Sequence, residues 1–182
     1  MNADERGMGP RALISLHFPA QDTAVRDALL RVDATLRSEG IGDDLRDRTQ
    51  IALAEACNNI VEHAYPYERC DDPAITLDIA SDRGGIQITL RDKGGPMPDG
   101  RLPAPDLPPL DLDDPLSLPE GGFGWPILRS MTRALSISRR NGQNILRFRL
   151  PAAEFPGAQG QNACDCPIRS ALPPGCRVIT IL

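Results

Sequence analysis

Eight prolines stand between residues 95 and 121: Pro96, Pro98, Pro103, Pro105, Pro108, Pro109, Pro115 and Pro119. Each lacks a backbone N–H and has a fixed φ, so neither a helix nor a strand survives that density. Regular structure must therefore form before and after this stretch and close around it. A long irregular segment inside a compact domain is uncommon unless it is a lid or another functional loop. With 182 residues the chain is long enough for one domain with a real core and too short for two of ordinary size plus a linker. One domain interrupted by a lid over about residues 95–121 is the expectation.

The flanking pattern says what that domain contains. Residues 12–18 alternate, with Ile14, Leu16 and Phe18 on one face and Leu13, Ser15 and His17 on the other, which suits a half-buried strand. After Pro19, Asp22 and Thr23 can cap a helix whose apolar positions Val25, Leu29, Val32 and Leu36 recur every three or four residues up to Gly40. Asp43 or Asp44 can start a second, longer helix. Its face runs through Leu45, Thr49, Ala52, Leu53, Cys57, Ile60, Val61 and Ala64 to a break at Pro66. Residues 75–80 and 86–91 read as a hairpin turning at residues 81–85. Beyond the proline segment, residues 125–133 resume helical character with Pro126 in the first turn, and residues 134–139 and 144–150 form a closing hairpin around Asn141-Gly142. Residues 151–182 change character to Pro, Gly, Gln and Asn with three cysteines, and read as a loosely ordered appendage.

Charge and cysteine content narrow the function classes. Twenty Lys and Arg against 25 Asp and Glu give a formal charge of −5, so no overall basic field draws the chain onto nucleic acid or acidic lipid, and direct nucleic-acid binding is not expected. No apolar run approaches the roughly 20 residues of a membrane helix, and the N-terminus lacks the pattern of a secretory signal; a cytoplasmic location is expected. The five cysteines are odd in number and scattered, so no disulfide framework is indicated. Cys164, Cys166 and Cys176 fit no standard zinc spacing and read as free thiols.

Three groups of residues carry chemistry. Glu55, Asn59 and His63 are spaced by four on the second helix and project from one side of it. A carboxylate and a carboxamide there suit a hydrated magnesium ion and a polarised hydroxyl, although taken alone a polar outer stripe accounts for them. Asp92 ends a strand beside Gly94 and Gly95, where a buried carboxylate could accept a hydrogen bond from an adenine amino group; alone, it is an ordinary Asp-Gly turn. Residues 121–124, Gly-Gly-Phe-Gly, precede a helix, where free N–H groups and the positive helix end favour phosphate; alone, they are a hinge.

Taken in order, Glu55-Ala56-Cys57-Asn58-Asn59-Ile60-Val61-Glu62-His63-Ala64-Tyr65, then Asp92-Lys93-Gly94, then Gly122-Phe123-Gly124, resemble the motifs of the GHKL (Bergerat-fold) ATP-binding superfamily. The first block is most similar to the anti-sigma-factor serine/threonine kinases. The resemblance covers roughly residues 10–150, leaving 151–182 as an extension. It implies an α/β (α+β) two-layer sandwich: a mixed, mostly antiparallel sheet covered on one face by helices, with ATP and Mg2+ between helices and lid. By this similarity Glu55 is the catalytic base, Asn59 the magnesium ligand and Asp92 the adenine-recognising carboxylate. Gly94 lets the backbone approach the base, and Gly122 and Gly124 cradle phosphates. The implied partners are an anti-anti-sigma (antagonist) protein that accepts the phosphoryl group and a sigma factor, and a homodimer is compatible with the resemblance. The proline-rich lid and the bulky Phe123, Trp125 and Pro126 depart from the family pattern. A sequestering module of the same fold that does not catalyse, and a detached histidine-kinase catalytic domain, are the alternatives.

Overall fold

The computed structural model describes residues 9–65, 72–103 and 122–152. Most of the expected lid and of the 151–182 extension lies outside the described residues. The chain runs β1 (Arg11–Pro19), α1 (Asp22–Ser38), α2 (Asp43–His63), β2 (Ala74–Asp82), β3 (Gly85–Asp92), a single 3-10 turn (Pro98–Gly100), α3 (Gly124–Met131), β4 (Arg133–Arg140) and β5 (Gln143–Pro151). The five strands form one sheet in the order β1-β2-β3-β5-β4. Every described pair is antiparallel, so the parallel component of the expected mixed sheet is absent among these residues.

Alternation decides which face is covered. Leu16 and Phe18 of β1, Ile75, Leu77 and Ile79 of β2, Ile86, Ile88 and Leu90 of β3, and Leu146, Phe148 and Leu150 of β5 are buried against the helices. Val25, Ala28, Val32 and Leu36 of α1, Leu45, Thr49, Ala52, Leu53, Ala56, Cys57 and Ile60 of α2, and Leu128 of α3 complete one core. Burial of this apolar area is the main favourable term in the fold. The β4–β5 hairpin turns through Asn141 and Gly142, with φ of 50° and 76°. Positive φ at both central residues is what a tight turn matching the strand twist requires.

The helices start one residue earlier than side-chain capping suggested. Gln21 and Gly42 occupy the N-cap positions and neither makes a side-chain cap bond. Asp22, Asp43 and Asp44 lie inside the first turns instead, where carboxylates favour the positive helix end. Arg46 then ties the two helices together, donating to Asp33 of α1 at 3.0 Å and to Asp43 at 2.8 Å. No helix among the described residues is long and apolar enough to cross a membrane.

The other sheet face is polar. Asp78 bridges Ser15 and Arg91, and Asp82 takes hydrogen bonds from Arg149 (2.9 Å), the Gly84 N–H (2.7 Å) and Gln87 (3.0 Å). Arg149, followed by the Gly84 N–H, holds the Asp82 carboxyl at about 2, below its ordinary 3.8. Because the folded value is depressed, the stability this group contributes is present above about pH 3.8 and lost as the pH falls through about 2. Asp82→Asn should therefore flatten the pH dependence of the urea midpoint over that interval. A wild-type slope in the variant would remove the pair from acid stability.

Candidate functional site

α2 supplies one wall of the site because its apolar face is used by the core, leaving its polar edge toward α3. Glu55, Asn58, Asn59, Glu62 and His63 line an open cleft of about 910 Å³, closed on the other side by residues around Met97–Pro103 and by Gly122, Phe123 and Gly124. Asn59 Nδ2 donates to the backbone carbonyl of Glu55 at 2.7 Å. A carbonyl only accepts, so the amide orientation is fixed and Oδ1 is the atom left for a ligand. His63 sits at the rim, its side chain 70% exposed and 3.8 Å from the Glu62 carboxylate. Cys57, inside the same motif, faces the core, and burial pushes its thiol up to about 12, away from the thiolate form.

α3 begins against this edge. A Cβ built on Gly124 would stand 2.6 Å from Glu55 Oε2 and 3.4 Å from Asn59 Nδ2, so the helix start packs directly against these two side chains. Phe123 is the N-cap and offers no side-chain cap bond. The N–H groups of Gly124 and Trp125 thus lack helical acceptors, while Pro126 has no N–H to satisfy. With Gly122 exposed at φ 91°, this end can receive an anion.

Asp92 lies at the other end of the site. It is 5% exposed, and its Oδ1 accepts from the Gly94 N–H at 2.9 Å and from Asn144 Nδ2 at 2.8 Å. Burial pushes the carboxyl up from its ordinary value, opposed by Asn144, the Gly94 N–H and the Arg139 charge. A small cavity of about 60 Å³ opens in front of it, walled by Ile60, Met97, Trp125, Ile137 and Leu146. It adjoins the larger cleft, since Asn59, His63, Met97, Pro98 and Trp125 line both. An apolar slot with one buried carboxylate suits a flat ring carrying a hydrogen-bond donor.

Gly94 has a packing role in the structure. A Cβ there would lie 2.3 Å from the Ala64 carbonyl oxygen, the end of α2 against which the turn packs, and Gly95 N–H donates to that oxygen at 2.5 Å. Tyr65 braces the turn from the other side, accepting from the Lys93 N–H at 3.0 Å and donating to the Ala74 carbonyl at 2.9 Å. Asn144 and Arg139 went unread as site residues in the sequence, and Tyr65 stood at the end of the first motif without a role. One signal was available: Asn144 is the polar member of the inward series Asn144, Leu146, Phe148, Leu150 on β5.

An antiparallel sheet covered on one face by helices, with a helix-borne Glu and Asn, a strand-end Asp and a glycine-flanked helix start around one cleft, defines a nucleotide-binding class of domain. A family model of the histidine kinase-like ATPase domain matches residues 18–150, and the chain belongs to that family. Within it, the chain is similar to serine-protein kinase RsbW of Bacillus cereus (strain AH187), 30% identical over 135 residues that cover 73% of this chain and 81% of that protein. RsbW of Bacillus mycoides (strain KBAB4) is 28% identical over 134 residues with the same coverage. A crystal structure of the RsbU and RsbW domains of a Mycobacterium tuberculosis protein overlaps with a TM-score of 0.47 at 17% identity, covering 76% of this chain and 33% of that one.

Proposed function

We propose that the chain is an anti-sigma-factor serine/threonine protein kinase of the cytoplasm. It binds Mg-ATP, phosphorylates a Ser or Thr of an anti-anti-sigma protein, and through that partner governs the availability of a sigma factor. The observation that carries this reading is the joint approach of Glu55, Asn59 and Gly124 at one end of a cleft whose other end holds the buried Asp92.

The residues fit the group. Among the described residues no cluster of three His, Cys, Asp or Glu could cage a metal. Magnesium suits such a site, because it retains waters and is held by one or two protein oxygens plus phosphate. Asn59 Oδ1 would be a protein oxygen offered to it, and Asp92 Oδ2 would meet the adenine amino group. The N–H groups of Gly124 and Trp125 face the phosphates. When bound, Mg-ATP supplies the transferable γ-phosphoryl group and neutralises its charge. Glu55 orients the incoming hydroxyl and takes its proton. The smaller cavity has room only for a few waters, so base entry displaces wall residues such as Met97 and Trp125.

Mg-ATP at about 100 times its Kd stabilises the native state by about 2.7 kcal/mol. For a chain of this size that raises Tm by roughly 5–10 °C. Asn59→Ala should abolish most of the rise, measured by thermal melting with and without Mg-ATP. An undiminished rise in the variant would take Asn59 out of the metal site, and no rise in the wild type would contradict nucleotide binding altogether.

A further inference from the structure

Two residues outside all three motifs hold the Asp92 end of the site. Asn144 of β5 is 6% exposed, and its Nδ2 donates to Asp92 Oδ1 and to the Gly95 carbonyl, both at 2.8 Å. Its Oδ1 accepts from Arg139 Nη1 of β4 at 2.6 Å, and the same nitrogen donates to the Gly94 carbonyl at 2.9 Å. Both donor hydrogens of the amide are used and its acceptor faces a guanidinium, so the side chain can sit only one way round. A buried polar network satisfied to this degree is rigid.

We propose that Asn144 and Arg139 are positioning residues for base recognition. They clamp the Asp92–Gly95 turn so that Oδ1 is filled from the protein side and Oδ2 is the carboxylate atom left to meet a ligand. This inference rests on the reading of the cleft as a nucleotide site. No hydrogen bond to Oδ2 is found among the described residues. A carboxylate oxygen held this way only accepts, so the ligand must present a donor to it. The 6-amino group of adenine does, whereas a 6-oxo purine presents an acceptor and leaves both groups unpaired in a dry pocket, which costs more than a missing contact in water. Asn144 is also the strongest influence holding the buried Asp92 in its charged form. Without it the carboxyl can rotate or take up a proton, and a protonated carboxyl can donate to a 6-oxo group. Discrimination between the two bases then falls.

The test is the ratio of affinities for Mg-ATP and Mg-ITP, measured by titration on the full chain as wild type, Asn144→Ala and Arg139→Gln, with the Tm of each ligand-free protein recorded. The wild type should prefer ATP. Asn144→Ala should cut that preference by roughly tenfold or more, and Arg139→Gln should shift it the same way by a smaller factor. Arg139 lies on the edge strand β4, so this second variant carries the test if Asn144→Ala does not fold. Equal losses of affinity for both nucleotides, or an unchanged preference in a folded variant, would reduce the pair to structural support and overturn the inference while leaving the nucleotide site intact. A wild type that binds neither nucleotide would overturn both.

Discussion

Glu55→Gln should lower phosphoryl transfer to the protein substrate by roughly a hundredfold or more, with Mg-ATP affinity nearly unchanged. The substitution keeps the size and hydrogen-bonding capacity of the side chain and removes the base. Affinity is spared for a structural reason: Asn59 is oriented by the backbone carbonyl of residue 55, which glutamine retains. Oε2 packs at the start of α3, at the end of the site where the account places the phosphates, so the acceptor hydroxyl must come within hydrogen-bond reach of this carboxylate. Single-turnover phosphate incorporation, alongside nucleotide titration, reads both quantities. A variant transferring at the wild-type rate would remove Glu55 as the base, and a parallel collapse of affinity would make it a binding residue.

Gly94→Ala should damage stability and nucleotide binding together. The added Cβ would stand 2.3 Å from the Ala64 carbonyl oxygen, 2.6 Å from its Cβ and 2.7 Å from its carbonyl carbon. These are backbone and near-backbone atoms at the end of α2 and cannot swing aside as a long side chain would. Overpacking of this kind costs typically about 1–3 kcal/mol, or a Tm drop of roughly 2–12 °C for a chain of this size. Relief requires the turn to move away from Ala64. That breaks the Gly95-to-Ala64 bond and displaces the Gly94 N–H from Asp92, so the Tm rise with Mg-ATP should largely vanish. Melting curves with and without nucleotide decide it, and a wild-type Tm with a full response would show that the turn tolerates the methyl group.

Much of this architecture was legible because it depends on local periodicity. The alternation through Leu16 and Phe18, with Ile14 partly buried beside them, and the stripe from Leu45 to Ile60 each report one core-facing side, and Asn141-Gly142 reports its own turn. Helix starts were less legible: whether Asp22 caps a helix or opens its first turn depends on the extended backbone of Gln21, with ψ 146°, which no side-chain pattern encodes. The site divides the same way. Glu55 and Asn59 share a helix edge by spacing alone, and Asp92 and Gly124 followed from motif order. The clamp could not be read, because Asn144 meets Asp92 across 52 residues and Arg139 meets Gly94 across 45, and only the β3–β5 and β4–β5 registers bring them together. Gly94 was legible as a glycine that matters, yet its contact is Ala64, a partner fixed by tertiary packing.

Phosphoryl transfer from this cleft to a protein hydroxyl can be observed directly. Its most direct measurement is incubation of the wild-type chain with γ-labelled Mg-ATP and a purified anti-anti-sigma protein, followed by mass-spectrometric location of the label. The account predicts phosphate on a single Ser or Thr of that protein, dependent on magnesium and lost in Asn59→Ala. Nucleotide binding and sigma-factor capture without label on any antagonist or release to water would contradict it, and would make the chain a sequestering module.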